Sequence, residues 1–314
     1  MNRLNFIAKR LLILIPLLAG IILVVFLLAK VMPGDPARLA VGLRASPAQV
    51  AQARAAMGLD KPLIVQYVVY LGHILTGNFG YSYKSHMPVT TIIGAHVPIT
   101  LWLLFFGVGF SLLISVPLGI LAALRRDSLI DHIIRGFCVL SLAMPMFWVG
   151  IMLITLIALP TGIFPVGGFG NDFFGHIRGI ILPGLTLGIA MSPVMIRSLR
   201  ATIIKEISSE YVNAAKSLGV SGSRLMVKFI LRNALSPVVT LLAYQLSYFL
   251  FGDVIVEMTF MLPGMGEGII DATVQRDLPL VQGYTLIFAL SVVLVYLLAD
   301  IINSLLDPRI VIDS

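Results

Sequence analysis

The sequence predicts an all-α polytopic membrane protein with six transmembrane helices, and two observations carry that reading. Of its 314 residues, 58% are hydrophobic and only 12% are charged, about half the charged share of an ordinary soluble domain. The charges are also clustered. They leave seven charge-free stretches, at 11–29, 62–83, 85–124, 136–171, 179–196, 233–252 and 278–299, each long enough to cross about 30 Å of hydrocarbon at roughly 1.5 Å per residue. Such a composition excludes a soluble enzyme, and the lone Cys138 excludes a disulfide-built secreted domain. The net charge of +7 reads as basic residues gathered at one membrane face rather than as a nucleic-acid footprint.

Six of the seven stretches are expected to span. In 62–83 the apolar run is interrupted by Gln66, Tyr67, Tyr70 and His73 and dissolves into Thr76, Gly77, Asn78 and Gly80, which leaves too little for a crossing. If it did cross, an N-terminus held inside by Arg3, Lys9 and Arg10 would push Arg125, Arg126 and Arg135 outside, with the loop carrying Lys205, Lys216, Arg224, Lys228 and Arg232. Six spans place both basic clusters inside, as the positive-inside bias requires. The spans are expected near 11–30, 99–124, 133–158, 180–198, 234–256 and 283–306, with both termini cytoplasmic. The first is followed by Lys30, Met32 and Pro33 with no small-x-small cleavage site, so it is read as staying in the membrane. The fourth holds Pro183 and Pro193; it is expected to be short, kinked and buried within the bundle.

Two hydrophilic segments connect these spans. The outer one, 31–98, should hold an Ala-rich helix with Ser46 as N-cap, Pro47 at its first position and Gly58 as its stop, then an interfacial helix from Leu63 to about Leu75. The inner one, 199–233, reads as two short helices: Ser209 caps the first, Glu210 suits its positive end, and Gly219 ends it before Ser221 restarts the chain. The domain organisation expected is therefore 1–98, a first helix and extracytoplasmic segment, and 99–314, a five-helix core with its loop at 199–233. There is no internal repeat and no low-complexity tract.

No phosphate-cradling loop, Cys/His metal cluster or nucleophile elbow is present, and the histidines at 73, 86, 96, 132 and 176 all fall outside the expected spans. The one close acidic pair at depth is Asp253 with Glu257, four residues apart and about 27 Å up the fifth span. Two readings stay open for it: placement at the outer interface, or a face on a water-filled pathway, since acids inside a membrane usually face the bundle. A secondary transporter would need coupling-ion ligands at the midplane and often shows inverted repeats; neither is seen. The inner loop is richer. Glu210-Tyr211-Val212-Asn213-Ala214-Ala215-Lys216-Ser217-Leu218-Gly219 forms a short helix with two exposed alanines and a glycine end, which allows close approach to a partner groove. Arg224, Lys228 and Arg232 repeat every four residues as a basic stripe, whose plainer reading is an anchor to anionic lipid.

Residues 211–237, YVNAAKSLGVSGSRLMVKFILRNALSP, resemble the cytoplasmic loop of the permease subunits of bacterial ATP-binding-cassette importers in the dipeptide, oligopeptide and nickel group. Further matches are Met32-Pro33-Gly34-Asp35-Pro36, Val256-Glu257 with Pro263-Gly264-Met265-Gly266, Arg276-Asp277-x-Pro279-x-x-Gln282, and Asp307-Pro308-Arg309. The likeness runs nearly end to end. It departs at Asn213, where many relatives carry an acid, and at Phe251-Gly252-Asp253, which is bulkier and more acidic than the usual Gly-Gly-small pattern; an acid there suits a cationic or amine-bearing solute.

The resemblance implies the type I importer permease fold and alternating-access import of dipeptides or oligopeptides, or else of a nickel chelate, glutathione or an opine. It implies as partners a second homologous permease, two cytoplasmic ATPases that carry the ATP and Mg, and an extracytoplasmic solute-binding protein, with this chain in the bacterial cytoplasmic membrane. This chain itself would bind no cofactor and catalyse nothing. Its coupling residues would be Glu210, Tyr211, Asn213, Ala214, Ala215, Lys216, Gly219, Arg224, Lys228 and Arg232, and its pathway residues Asp253 and Glu257.

Overall fold

The computed structural model describes residues 3–31, 34–42, 44–252 and 254–306. Among them the regular structure is helical, apart from one backbone bridge between Tyr81 and Pro88. In chain order the α-helices are α1 Arg3–Val31, α2 Pro36–Val41, α3 Pro47–Ala56, α4 Leu63–Leu75, α5 Val89–Leu124, α6 Leu129–Ala143, α7 Met146–Leu153, α8 Leu159–Thr161, α9 Phe173–Ile207, α10 Glu210–Ser217, α11 Gly222–Leu225, α12 Arg232–Gly252, α13 Val254–Thr259, α14 Met265–Val274 and α15 Leu278–Leu306. Stretches of π-helix, Ile154–Ala158 and Met226–Leu231, join α7 to α8 and α11 to α12.

Among the described residues four helices (α1, α5, α9 and α15) are long and apolar enough to cross a membrane, and counting each of two bent pairs as one span brings the candidates to six. The third span, expected near 133–158, is a bent pair. It breaks at Pro145 and turns by 104° between Leu129–Ala143 and Met146–Thr161. Pro145 forces Met144 out of the helical region to ψ 127°, because the proline ring clashes with a helical residue before it.

The fourth span departs from expectation. Instead of a short piece, α9 is one helix of 35 residues that runs through both Pro183 and Pro193. At about 1.5 Å per residue it exceeds the hydrocarbon thickness by some fifteen residues. The expected burial does hold: 72% of its apolar window is inside the protein, against 11% for α1. Small residues permit this. A Cβ on Gly184 would lie 2.7 Å from the Cβ of Phe106, and one on Gly188 would lie 2.6 Å from that of Phe110. The Gly-x-x-x-Gly spacing therefore lets α9 lie directly against α5, the usual basis of close helix pairing in lipid. Along α5, Leu101, Phe105, Leu113, Leu121 and Leu124 stay exposed, an apolar stripe that water would not tolerate.

Helices α5 and α9 begin well before the predicted spans, so His96 and His176 lie on helices rather than in loops. The outer segment follows the sequence closely. Ser46 accepts from Gln49 N–H and Gln49 returns a bond to Ser46 N–H, a full capping box ahead of α3. Gly58, just beyond the helix, has φ +65°, and α4 has the predicted bounds.

The chain forms two compact units, one built on Leu101–Leu262 and the other on Leu11–Thr100 with Pro263–Val293. Within the first, α6 is fastened to α9 by a buried ion pair. Arg200 donates Nε to Asp131 Oδ1 at 2.8 Å and Nη2 to Oδ2 at 2.6 Å, and the Asp127 N–H adds a third bond at 3.0 Å. Arg135 stands 3.7 Å away. Within the second unit, Asp277 caps α15 and accepts from the Ser82 hydroxyl and, at 3.3 Å, from Lys84 N–H. This is the physical task of Asp277 in that motif. The Pro263–Gly266 turn is tied by Met265 N–H donating to Thr100 Oγ1 at 2.8 Å.

Candidate functional site

Helix α10 sits between the end of α9 and the start of α11 on a base of apolar side chains. Val212 and Ala215, three residues apart, point inward with Ile203, Leu225, Ile230, Ala234 and Ala123. The pair of exposed alanines expected from sequence is thus split: Ala214 is exposed, while Ala215 is 6% exposed and part of this core. Helical periodicity is the reason, since positions 212 and 215 share a face and 214 lies off it. The outward face consists of Glu210, Tyr211, Asn213, Ala214, Lys216, Ser217 and Leu218. Leu218, at 84% exposed, is the apolar knob at its tip.

The helix ends as predicted. Gly219 takes φ +75°, its N–H bonds to Lys216 O at 3.0 Å, and Val220 N–H reaches Ala215 O at 3.1 Å. These two bonds are the Schellman pair, which requires a left-handed residue after the helix. The helix start differs. Ser209 precedes α10, but its hydroxyl bonds back to Glu206 O at 2.6 Å and makes no cap bond to α10, because Glu206 lies one turn away at the end of α9.

Tyr211 ties the three pieces together. Its hydroxyl donates to the Glu206 carboxylate of α9 and accepts from Asn233 Nδ2 of α12 at 2.8 Å. Burial first, and then the bond to Glu206, push its phenol pKa above the ordinary value. One side chain thus joins α10 to both α9 and α12. Neither Glu206 nor Asn233 was readable as a partner: five and 22 residues from Tyr211, they share no helix face with it.

Arg224, Lys228 and Arg232 are all exposed. Lys228 lies in the π-helical stretch Met226–Leu231, between Arg224 on α11 and Arg232 at the start of α12. Glu257 is fully buried on α13, as are Val256, Phe260 and Leu262 near it in the sequence. Its neighbour in the predicted pair, Asp253, lies outside the described residues, as do Met32-Pro33 and Asp307-Pro308-Arg309. Among the described residues no group of His, Cys, Asp and Glu could hold a metal ion.

The chain resembles known proteins along nearly its whole length. It is 36% identical to the glutathione transport system permease protein GsiC of Salmonella typhi, over 98% of this chain and 99% of that protein. To the dipeptide transport system permease protein DppB of Escherichia coli K12 it is 34% identical, over 98% of each. Its fold matches a chain of the MetNI methionine ABC transporter, solved in inward-facing conformations, with a TM-score of 0.58 at 15% identity over 69% of this chain and 96% of that one. Two family models cover it: residues 3–104 match the N-terminal part of binding-protein-dependent transport system membrane components. Residues 115–312, from the middle of α5 through α10 and α15, match the inner membrane component of binding-protein-dependent transport systems, and the chain belongs to that family of transport permeases.

Proposed function

We propose that this permease is one half of a two-permease pore in the bacterial cytoplasmic membrane, with both termini cytoplasmic, and that it imports peptides or a glutathione-like solute by alternating access. The named cargoes of its relatives, glutathione and dipeptides, support that class. Residues 1–98 supply the first helix and a segment that receives the solute-binding protein; 99–314 supply the five-helix core. Two partner ATPases bind ATP and Mg and hydrolyse the ATP. This chain transmits their closure as a rigid-body motion.

The observation that carries the reading is α10. It is a short helix seated on a core, closed by Gly219, and it presents Ala214, Lys216 and an 84% exposed Leu218 outward. An apolar residue left in water beside small and charged ones is what a helix-in-groove contact uses. Through Tyr211 the same helix holds α9 and α12. The pathway role of Asp253 and Glu257 belongs to the same proposal.

The test is the assembled complex with Ala214→Glu or Leu218→Asp. Both sites are exposed, so insertion and melting temperature should stay unchanged while substrate-stimulated ATP hydrolysis and uptake fall at least about tenfold, the loss of one contact worth roughly 1.4 kcal/mol. Wild-type coupling in both variants would overturn the assignment. Labelling of Ser128→Cys by an impermeant thiol reagent from outside intact cells would overturn the orientation.

A further inference from the structure

A cavity of about 340 Å³ lies where the end of α1 meets the α2–α4 segment. Its wall includes Lys30 and Phe26 from α1, Lys61 just before α4, and Tyr70 and His73 from α4. Three of the lining side chains, Lys30, Lys61 and His73, are basic, and none is acidic. The flanking carboxylates are spoken for or face elsewhere: Asp35 is bound by Arg54 at 2.8 Å, Asp277 takes Ser82 and Lys84, and Asp60 does not line the cavity.

Lys30 is held in place. Its Nζ donates to Gln66 Oε1 and stands 5.3 Å from the Phe26 ring centroid. Gln66 in turn donates to the backbone carbonyls of Leu59 and Lys61, at 3.0 and 2.7 Å, which fixes the stretch of chain that carries Lys61. Tyr70 adds a buried hydroxyl with no hydrogen-bond partner among the described residues, a donor still lacking an acceptor there. The depth is also defined. The apolar window of α1 is Leu14–Val31, so Lys30 marks the end of the hydrocarbon. Beside it α4 exposes Ile64, Val68 and Leu75, at 78%, 60% and 75%.

We propose that this cavity is a binding site for an acidic phospholipid. The phosphate sits between Lys30 and Lys61 and supplies an acceptor to the Tyr70 side of the wall, and the acyl chains lie along the exposed apolar residues of α1 and α4. A zwitterionic lipid would place its own cation against the two lysines, so the site selects for net negative charge. The site depends only on this chain lying in a membrane and is independent of the cargo.

The experiment is native mass spectrometry of the full-length protein, delipidated in detergent and titrated with dioleoylphosphatidylglycerol or dioleoylphosphatidylcholine. A saturable single adduct is expected, with about tenfold preference for the glycerol lipid, the effect of roughly one to two lysines at a membrane surface. Lys30→Gln with Lys61→Gln should abolish the preference, and Lys30→Arg with Lys61→Arg should retain it. Tyr70→Phe should weaken the adduct without changing its charge selectivity. Equal binding of both lipids, or an undiminished preference in the double Gln variant, would overturn the proposal. Displacement of the lipid by equimolar oleate would also overturn it, by assigning the site to a free amphiphilic anion.

Discussion

Replacing Asp131 by Asn tests whether the α6–α9 junction is held by charge. The substitution keeps the side-chain volume and an acceptor for Asp127 N–H but leaves Arg200 without its anion. Asp131 is 0% exposed and Arg200 is 21% exposed, so water can stabilise only part of the orphaned guanidinium. Removing one partner of a fully buried pair costs about 3–5 kcal/mol. The partial exposure of Arg200, and Asp127 at 4.0 Å from it, reduce this to roughly 2–3 kcal/mol by the same reasoning. A chain of this size should then melt about 3–5 °C lower. Cys138 supplies the assay, because it is 2% exposed, is the sole cysteine in the chain, and packs beside Ile134 and Ile196 between α6 and α9. A thiol-reactive fluorophore on the heated protein in detergent therefore reports the opening of this junction. Asp131→Leu combined with Arg200→Met removes both charges and should recover most of the loss. A wild-type melting temperature for Asp131→Asn, or a double variant as unstable as the single one, would refute the argument from charge.

Ala215→Leu should behave oppositely to Leu218→Asp: it overfills the core beneath α10 and lowers stability by about 1–3 kcal/mol, read as a lower melting temperature, whereas the Leu218 variant should lose coupling alone. Gly268→Ala would set a methyl 2.6 Å from His96 Nδ1 and against the Tyr284 hydroxyl, which are themselves joined at 2.8 Å; a loss of about 1–3 kcal/mol is expected, and an unchanged melting curve would contradict the packing. Glu257→Gln preserves shape at a fully buried position, so uptake at matched expression should fall more than stability does; wild-type uptake would remove Glu257 from the pathway.

Much of the candidate site was legible in the residues, because local chemistry decides it. Gly219 ends α10 with the two bonds expected of a left-handed glycine, and the Ser46–Pro47 start of α3 is a signal contained within four residues. The direction in which α10 faces was not legible. Two adjacent alanines look alike in sequence, and only the positions of Ile203, Leu225 and Ile230 decide that Ala215 goes in and Ala214 stays out.

Composition and charge clustering by themselves determined that this chain lives in a membrane, how many apolar segments it offers, and where its short helices begin and end. Those properties depend on transfer free energy and on hydrogen bonds within a few residues, both of which travel with the sequence. Tertiary structure alone decided the rest. It paired Asp131 with Arg200 across 69 residues and linked Tyr211 to Asn233 across 22. It also let α9 run unbroken past two prolines while Pro145 bent its span by 104°. Proline removes the same backbone donor in each place. Whether the helix continues depends on what neighbouring helices supply: α9 has α5 against its glycines, and that support comes from residues distant in the chain.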